Sequence, residues 1–223
     1  DLHDVLSVWR QAGARGGEAR AAWCERTAGV GKDFQRALAG ELKDGWLNAL
    51  NAHKAKCSEE KPKWATRKAS GEALAVLTEA IPEMVGGSAD LTGSVNTKTP
   101  STEPVTSSDF SGRYIHYGVR EHAMGAVMNG MALHGGFIPY GGTFLVFADY
   151  MKGAMRLSAL MEQRVVYVLT HDSIGLGEDG PTHQAVETLA MLRALPNFKV
   201  YRPCDPVETA ECWALALHDT YGP

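Results

Sequence analysis

Five consecutive apolar residues, Val165-Val166-Tyr167-Val168-Leu169, constrain the fold of this chain more than any other stretch. β-branched and aromatic residues in so short a run indicate a strand rather than a helix. A strand that is apolar on both sides of its pleat has no face to offer water. It belongs inside a sheet covered on both faces, which is the habit of parallel sheets in α/β proteins.

The rest of the chain from Lys68 onward alternates to match. Patterning predicts a helix over 72–81, a strand over 84–88 and a strand over 113–117. A helix follows over 119–134, with Met124, Val127, Met128 and Met131 at helical spacing. Next come a strand over 137–140, a helix over 143–161 and the strand over 165–170. A helix over 183–195, a strand over 199–202 and a helix over 205–218 complete the pattern. Strands separated by helices imply a parallel sheet with helices on both faces. Residues 1–60 look different: polar, helical and interrupted by Gly13, Gly16 and Gly17, with Leu38, Leu42, Trp46 and Leu50 recurring every fourth residue. They read as a helical lead-in or linker to a domain over 61–223. Residues 97–108 form a Ser/Thr/Pro-rich loop. One more strand would be expected after the last helix, so the chain reads as a piece of a longer protein.

Composition excludes several classes. Hydrophobic residues make up 44% and mean hydropathy is −0.20, as a packed core in water requires. No apolar run approaches the roughly 20 residues of a membrane span, and no signal-peptide pattern opens the chain. Cys24, Cys57, Cys204 and Cys212 have neither disulfide nor zinc spacing and read as free thiols of a reducing compartment, so a cytoplasmic location is expected. A net charge of −4 argues against nucleic acid as a partner. The charge is uneven: residues 1–70 hold 13 basic and nine acidic side chains, the remainder nine and 17. The lysines among Lys54, Lys56, Lys61, Lys63, Arg67 and Lys68 read as a solvated basic linker.

Chemistry concentrates at strand ends. Thr170 to Gln184 reads Thr-His-Asp-Ser-Ile-Gly-Leu-Gly-Glu-Asp-Gly-Pro-Thr-His-Gln. It is a loop shaped by glycines and one proline, leaving the carboxyl end of the buried strand, where open α/β sheets place their sites. Two histidines among three acids suit proton transfer or recognition of a polar substrate. Glu121 opens the 119–134 helix. At about 100° per residue it lies in line with Met124 and Met128, so its carboxyl faces an apolar stripe that would push its pKa up. Phe144, Phe147 and Tyr150 are spaced by three and can wall a flat heterocycle.

These residues converge on a family. The segments Ala65-Thr66-Arg67-Lys68-Ala69-Ser70, Gly86-Gly87-Ser88-Ala89-Asp90-Leu91-Thr92, Tyr114 to His122, Pro139 to Phe144, Thr170 to Gln184 and Tyr201-Arg202-Pro203 stand in the order found in transketolases. The chain from about Lys61 to Pro223 resembles their middle, pyrimidine-binding domain. The resemblance implies thiamine-diphosphate-dependent transfer of a two-carbon ketol unit between sugar phosphates, in an enzyme that is a homodimer. Glu121 would hydrogen-bond the aminopyrimidine ring and favour its imino tautomer. Phe147 would stack on that ring, with Phe144 and Tyr150 beside it, and Asp90 and Leu91 would line its pocket. His171 and His183 would hold substrate oxygens and assist proton transfer, while Asp179 would read a substrate hydroxyl. Arg67 and Ser94 would contact the substrate phosphate. The metal, Mg2+ or Ca2+, and the cofactor's diphosphate belong to a domain not in this chain, so the chain alone is expected to be inactive. The family's Pro-Ser after Asp-Leu-Thr is replaced here by Gly93-Ser94. Rival readings are dihydroxyacetone synthase, deoxyxylulose-phosphate synthase, the beta subunit of a 2-oxo acid dehydrogenase, or a non-catalytic association module. Thr170-His171-Asp172-Ser173-Ile174-Gly175 is the transketolase-like form of the loop.

Overall fold

A computed structural model describes residues 1–223, which divide into two compact units, 1–36 and 37–223. The first carries α1 (Leu2–Ala14), α2 (Gly17–Thr27) and most of α3 (Lys32–Leu38). The Asp1 carboxylate caps α1 by accepting from the His3 N–H at 3.3 Å. No residue of these three helices is buried.

The second unit runs α4 (Trp46–Glu60), α5 (Thr66–Ala80), β1 (Met84–Ser88), α6 (Thr92–Val95), β2 (Tyr114–His116), α7 (Glu121–His134), β3 (Ile138–Phe144), α8 (Ala148–Leu160), β4 (Val166–Thr170), α9 (Thr188–Arg193) and α10 (Pro206–His218). The four strands form one sheet in the order β2-β1-β3-β4, and every pairing is parallel. This is the α/β architecture with helices on both faces that the alternation of elements demands.

β4 shows why both faces are covered. Val166 and Val168 pack with Trp46, Leu50, Leu74, Leu77, Trp213 and Leu217, from α4, α5 and α10. Tyr167 and Leu169 pack on the other side with Met124, Met128, Met151, Met155 and Leu192, from α7, α8 and α9. Alternate residues of one strand thus feed opposite cores. Two glycines let the layers close. A Cβ on Gly86 would stand 2.0 Å from Cζ of Tyr140, and one on Gly141 would stand 2.7 Å from Sδ of Met128.

Several local expectations change. The stripe Leu38, Leu42, Trp46, Leu50 is not one helix, because Gly40 (φ 75°) and Gly45 (φ 85°) take left-handed conformations that interrupt it. Trp46, Leu50 and Cys57 are buried, so α4, which the sequence places in the lead-in, packs against α5 and α10. Val127 is 44% exposed, which narrows the α7 stripe to Met124 and Met128 with Met131 partly buried. β3 runs on to Phe144, and α8 begins only after a 3₁₀ turn over Leu145–Phe147. Ahead of α9, Gly180 (φ 75°) and Pro181 hold the backbone out of helix, and the helix shrinks to 188–193. Residues 199–202 do not join the ladder. A cleft of about 430 Å³ lies along the outer edge of β4, with Val200 and Tyr201 on its rim. The Lys199 N–H donates instead to the carbonyl of Pro223 at 3.0 Å.

Two substitutions test this packing. Leu50→Ala empties a fully buried site on α4 and is expected to lower unfolding free energy by about 2–5 kcal/mol. Gly86→Ala forces the sheet off the Tyr140 ring, at roughly 1–3 kcal/mol or more. Denaturant unfolding followed by circular dichroism measures both. An unchanged midpoint for Leu50→Ala would mean α4 is not part of the cooperative fold.

Candidate active site at the carboxyl edge of the sheet

Parallel strands bring all their carboxyl ends to one edge. The register sets Ser88 beside His116 and Gly142, and Phe144 beside Thr170. Each strand then releases a loop that carries candidate residues, which is the crevice in which open α/β sheets bind ligands.

After β1, the buried Ser88 hydroxyl accepts from the Leu91 N–H at 3.0 Å and bends the chain. Asp90 takes a left-handed conformation (φ 64°) and is exposed, while Leu91 is half-buried. α6 follows and sets Ser94, whose N–H donates to the Leu91 carbonyl at 2.9 Å.

After β2, Gly118 (φ 69°) turns the chain, and Arg120 folds back to donate to the Tyr117 carbonyl at 2.9 Å. Glu121 then opens α7. It is 7% exposed, above the fully buried Met124 and Met128. No hydrogen-bond or ion-pair partner within the chain meets its carboxylate. The Tyr117 hydroxyl and the Thr143 Oγ1 are buried without partners, and burial pushes the Tyr117 phenol well above its ordinary range.

After β3 comes an aromatic wall. Phe144 ends the strand, Phe147 lies in the 3₁₀ turn and Tyr150 in α8, so the three do not share one helix as their spacing suggests. They nevertheless line up. Phe144 stacks on Phe147 (5.7 Å between centroids, planes 5° apart), and Phe147 stands 5.7 Å from Tyr150. Tyr150 remains 66% exposed. α7 packs against β3 and α8, which sets the Glu121 helix alongside this wall.

After β4, His171 sits in a left-handed conformation (φ 52°) with its ring on Phe144 at 3.7 Å. His183 stands edge-on to Phe147 at 5.3 Å. Arg67 Nη1 lies 3.3 Å from Nε2 of His171 and donates to the Ser94 carbonyl at 3.2 Å. The arginine thus meets the backbone of Ser94 rather than its hydroxyl. An arginine can only donate, so Nε2 of His171 must accept and the ring is neutral in this arrangement. Burial lowers the His171 pKa, the Arg67 charge lowers it further, and Asp179 and Asp172 oppose the shift.

The structure therefore brings Arg67, Ser94, Phe144, Phe147, Tyr150, His171 and His183 into one connected cluster. Asp179 acts on His171 through its charge from the exposed loop tip. Asp90 and Leu91 share the edge of the sheet, on the loop that leaves β1. Two supports were not legible in the residue pattern. Arg202 Nε donates to Asp172 Oδ2 at 3.0 Å and ties the start of the 170–184 loop to a distant segment, while Gln184 donates to the Leu176 carbonyl and closes the loop on itself.

Fold and crevice together define a parallel α/β domain whose strand ends carry an aromatic wall, a largely buried acid and an arginine in contact with a histidine. Residues 62–223 match the family model described as transketolase, pyrimidine binding domain, and the chain belongs to that family. It is 54% identical over 226 residues to a transketolase of Sinorhizobium medicae, covering 99% of this chain and 32% of that protein. It is 55% identical to a transketolase of Cereibacter sphaeroides, covering 99% and 34%. The solved transketolase of Leishmania mexicana superposes with a TM-score of 0.85 at 47% identity, covering 99% of this chain and 33% of that one. A structure described as a split gene transketolase, inactive beta4 tetramer, matches with a TM-score of 0.57 at 32% identity, over 71% of this chain and 48% of that one. The chain spans about a third of the length of the transketolases it matches.

The Arg67–His171 contact makes a titration prediction. His171 is expected to titrate below the ordinary imidazole value, and Arg67→Gln should raise its midpoint part of the way back, because burial remains. A lowered folded-state pKa means the unfolded chain binds the proton more readily. The corresponding stability is therefore present above the ordinary imidazole pKa and is lost as pH falls through the window beneath it. An NMR titration of the His171 ring proton reads this, and an ordinary midpoint in the parent chain would contradict it.

Proposed function

We propose that this chain is the part of a transketolase that binds the aminopyrimidine ring of thiamine diphosphate and lines the substrate channel. The observation that carries the reading is Glu121, a residue only 7% exposed above the buried Met124 and Met128, whose carboxylate meets no protein partner. A ring nitrogen that shares a proton with it would supply that partner. Thiamine diphosphate, when bound, supplies a nucleophilic thiazolium carbon to which a ketol unit can be transferred.

The chain's own residues do the rest. Glu121 holds the shared proton at the pyrimidine ring and thereby favours the imino tautomer. Phe147 offers a flat face to the ring, extended by Phe144 and Tyr150, with Asp90 and Leu91 at the rim. Arg67 and Ser94 meet the phosphate of the sugar substrate, for which an arginine fork is well suited. His171 and His183 hold substrate oxygens and move protons between them, and Asp179 reads a hydroxyl. A neutral His171 is able to accept a proton at near-neutral pH. No three His, Cys, Asp or Glu side chains of this chain converge to hold a cation. In this reading the divalent ion, Mg2+ or Ca2+, and the diphosphate are held by the remainder of the enzyme, and the working form is a homodimer.

A split arrangement, with this chain active only beside a second polypeptide, is the alternative favoured by the structural neighbour described as an inactive tetramer. Dihydroxyacetone synthase shares enough of the site to require a direct assay with formaldehyde as acceptor.

In the full-length protein, Glu121→Gln is expected to lower ketol transfer by about a hundredfold or more while sugar-phosphate KM changes little; wild-type turnover in this variant would refute the role of Glu121. In calorimetry, thiamine diphosphate with magnesium should bind the 223-residue chain only weakly, and micromolar affinity or turnover would overturn its inactivity.

A further inference from the structure

A second concavity, of about 540 Å³, also borders Arg67, and the proposed catalytic reading does not use it. It is lined by Lys63, Trp64, Arg67, Lys68, Gly93 and Lys98 among others. Four cations border it against one acid, Glu72, and that acid is already taken by Lys68 at 3.1 Å. No acid of the chain engages Lys63 or Lys98. In a chain whose net charge is −4, a concavity with this balance draws small anions against the background field.

The walls are held in place by packing. A Cβ on Gly71 would stand 2.9 Å from Cβ of Asn96, so α5 and the end of α6 meet in contact beneath the cleft. Lys98 lies between two buried threonines. Thr97 Oγ1 bonds the Tyr114 hydroxyl at 2.9 Å, and Thr99 Oγ1 bonds Thr78 Oγ1 at 2.8 Å. The backbone that carries Lys98 at the cleft's border is thereby fixed. Trp64 is packed under the Lys68 ammonium, 5.5 Å from its ring centroid. Arg67 spends Nη1 on the Ser94 carbonyl and His171, so the rest of its five-donor fork is uncommitted.

We propose that this cleft is a second anion site, which takes a phosphate dianion between Lys63, Lys98 and Arg67. Because Arg67 borders both the cleft and the substrate channel, an anion held here stands next to the channel's own cation. The cleft is placed to collect the phosphate group of an incoming substrate or to hold free phosphate. The site rests on its cations alone and stands whether or not the channel is catalytic.

The test is a titration of the 223-residue chain with inorganic phosphate at constant ionic strength, reading the Trp64 indole N–H resonance, with ribose 5-phosphate as a second arm. A saturable shift at millimolar phosphate is expected, absent with chloride. The double variant Lys63→Gln/Lys98→Gln should weaken it at least tenfold, with helix content unchanged by circular dichroism. Tighter binding of ribose 5-phosphate would identify a phosphorylated metabolite as the ligand, and equal binding would identify the phosphate group itself. Absence of saturation below about a hundred millimolar, at which counter-ions already screen such contacts, would overturn the site. So would binding that survives the double variant but is lost in Arg67→Gln, which would place the anion in the channel alone.

Discussion

Everything in the second unit follows from the need to cover β4 and its neighbours on both faces. β4 ends the order β2-β1-β3-β4 and is hydrogen-bonded to β3 alone, so its alternating side chains are satisfied only by apolar layers above and below. Trp46, Leu50, Leu74 and Trp213 supply one layer, and Met124, Met128, Met151 and Met155 the other. Parallel pairing is the arrangement compatible with helices returning the chain across both faces. Parallel pairing in turn brings every strand's carboxyl end to one edge. The site is a consequence of that edge: four loops, from four strands, meet there because the sheet admits no other direction.

The cluster at that edge mixes rigid and exposed parts. Phe144, Phe147 and His171 are stacked, and the 170–184 loop is anchored through Asp172 to Arg202 and closed on itself by Gln184 and Leu176. Glu121 is rigid for another reason, since it stands at the first turn of a helix whose next two inward residues are fully buried methionines. Asp90, Tyr150 and Asp179 are exposed. In the proposed function Asp90 lies at the rim, Tyr150 extends the aromatic face and Asp179 reads a substrate hydroxyl, with the rest of the crevice supplied by the remainder of the enzyme. The transketolases that match the chain are about three times its length.

Much of the site was legible in the residues. Glu121 could be placed on the Met124–Met128 face because helical periodicity depends only on spacing. The histidine loop could be placed at a strand end because Val165–Leu169 is too apolar to be anything else. The aromatics were legible as a set but not as a geometry. A period of three suggests one helix, whereas Gly141 and Gly142 let β3 run on to Phe144 and a 3₁₀ turn intervenes. The role of α4 was obscured by Gly40 and Gly45, which break the leucine stripe and hide that Trp46 and Leu50 are buried in the core with Leu42 packed against it. The partners of Arg67 were invisible, because Ser94 is 27 and His171 104 residues away in sequence.

By itself the sequence determined the alternation of elements, the two-sided burial of the sheet, the inward register of Glu121 and the order of motifs that marks the family. These are local properties, set by side-chain chemistry and by the periods of helix and strand. Only the tertiary structure decided that α4 packs into the core, that 199–202 stays outside the ladder, that Arg67 turns to His171 and the Ser94 carbonyl, and that Glu121 finds no partner within the chain. Each of those depends on which distant segments share space, a matter of packing that no spacing along the chain encodes.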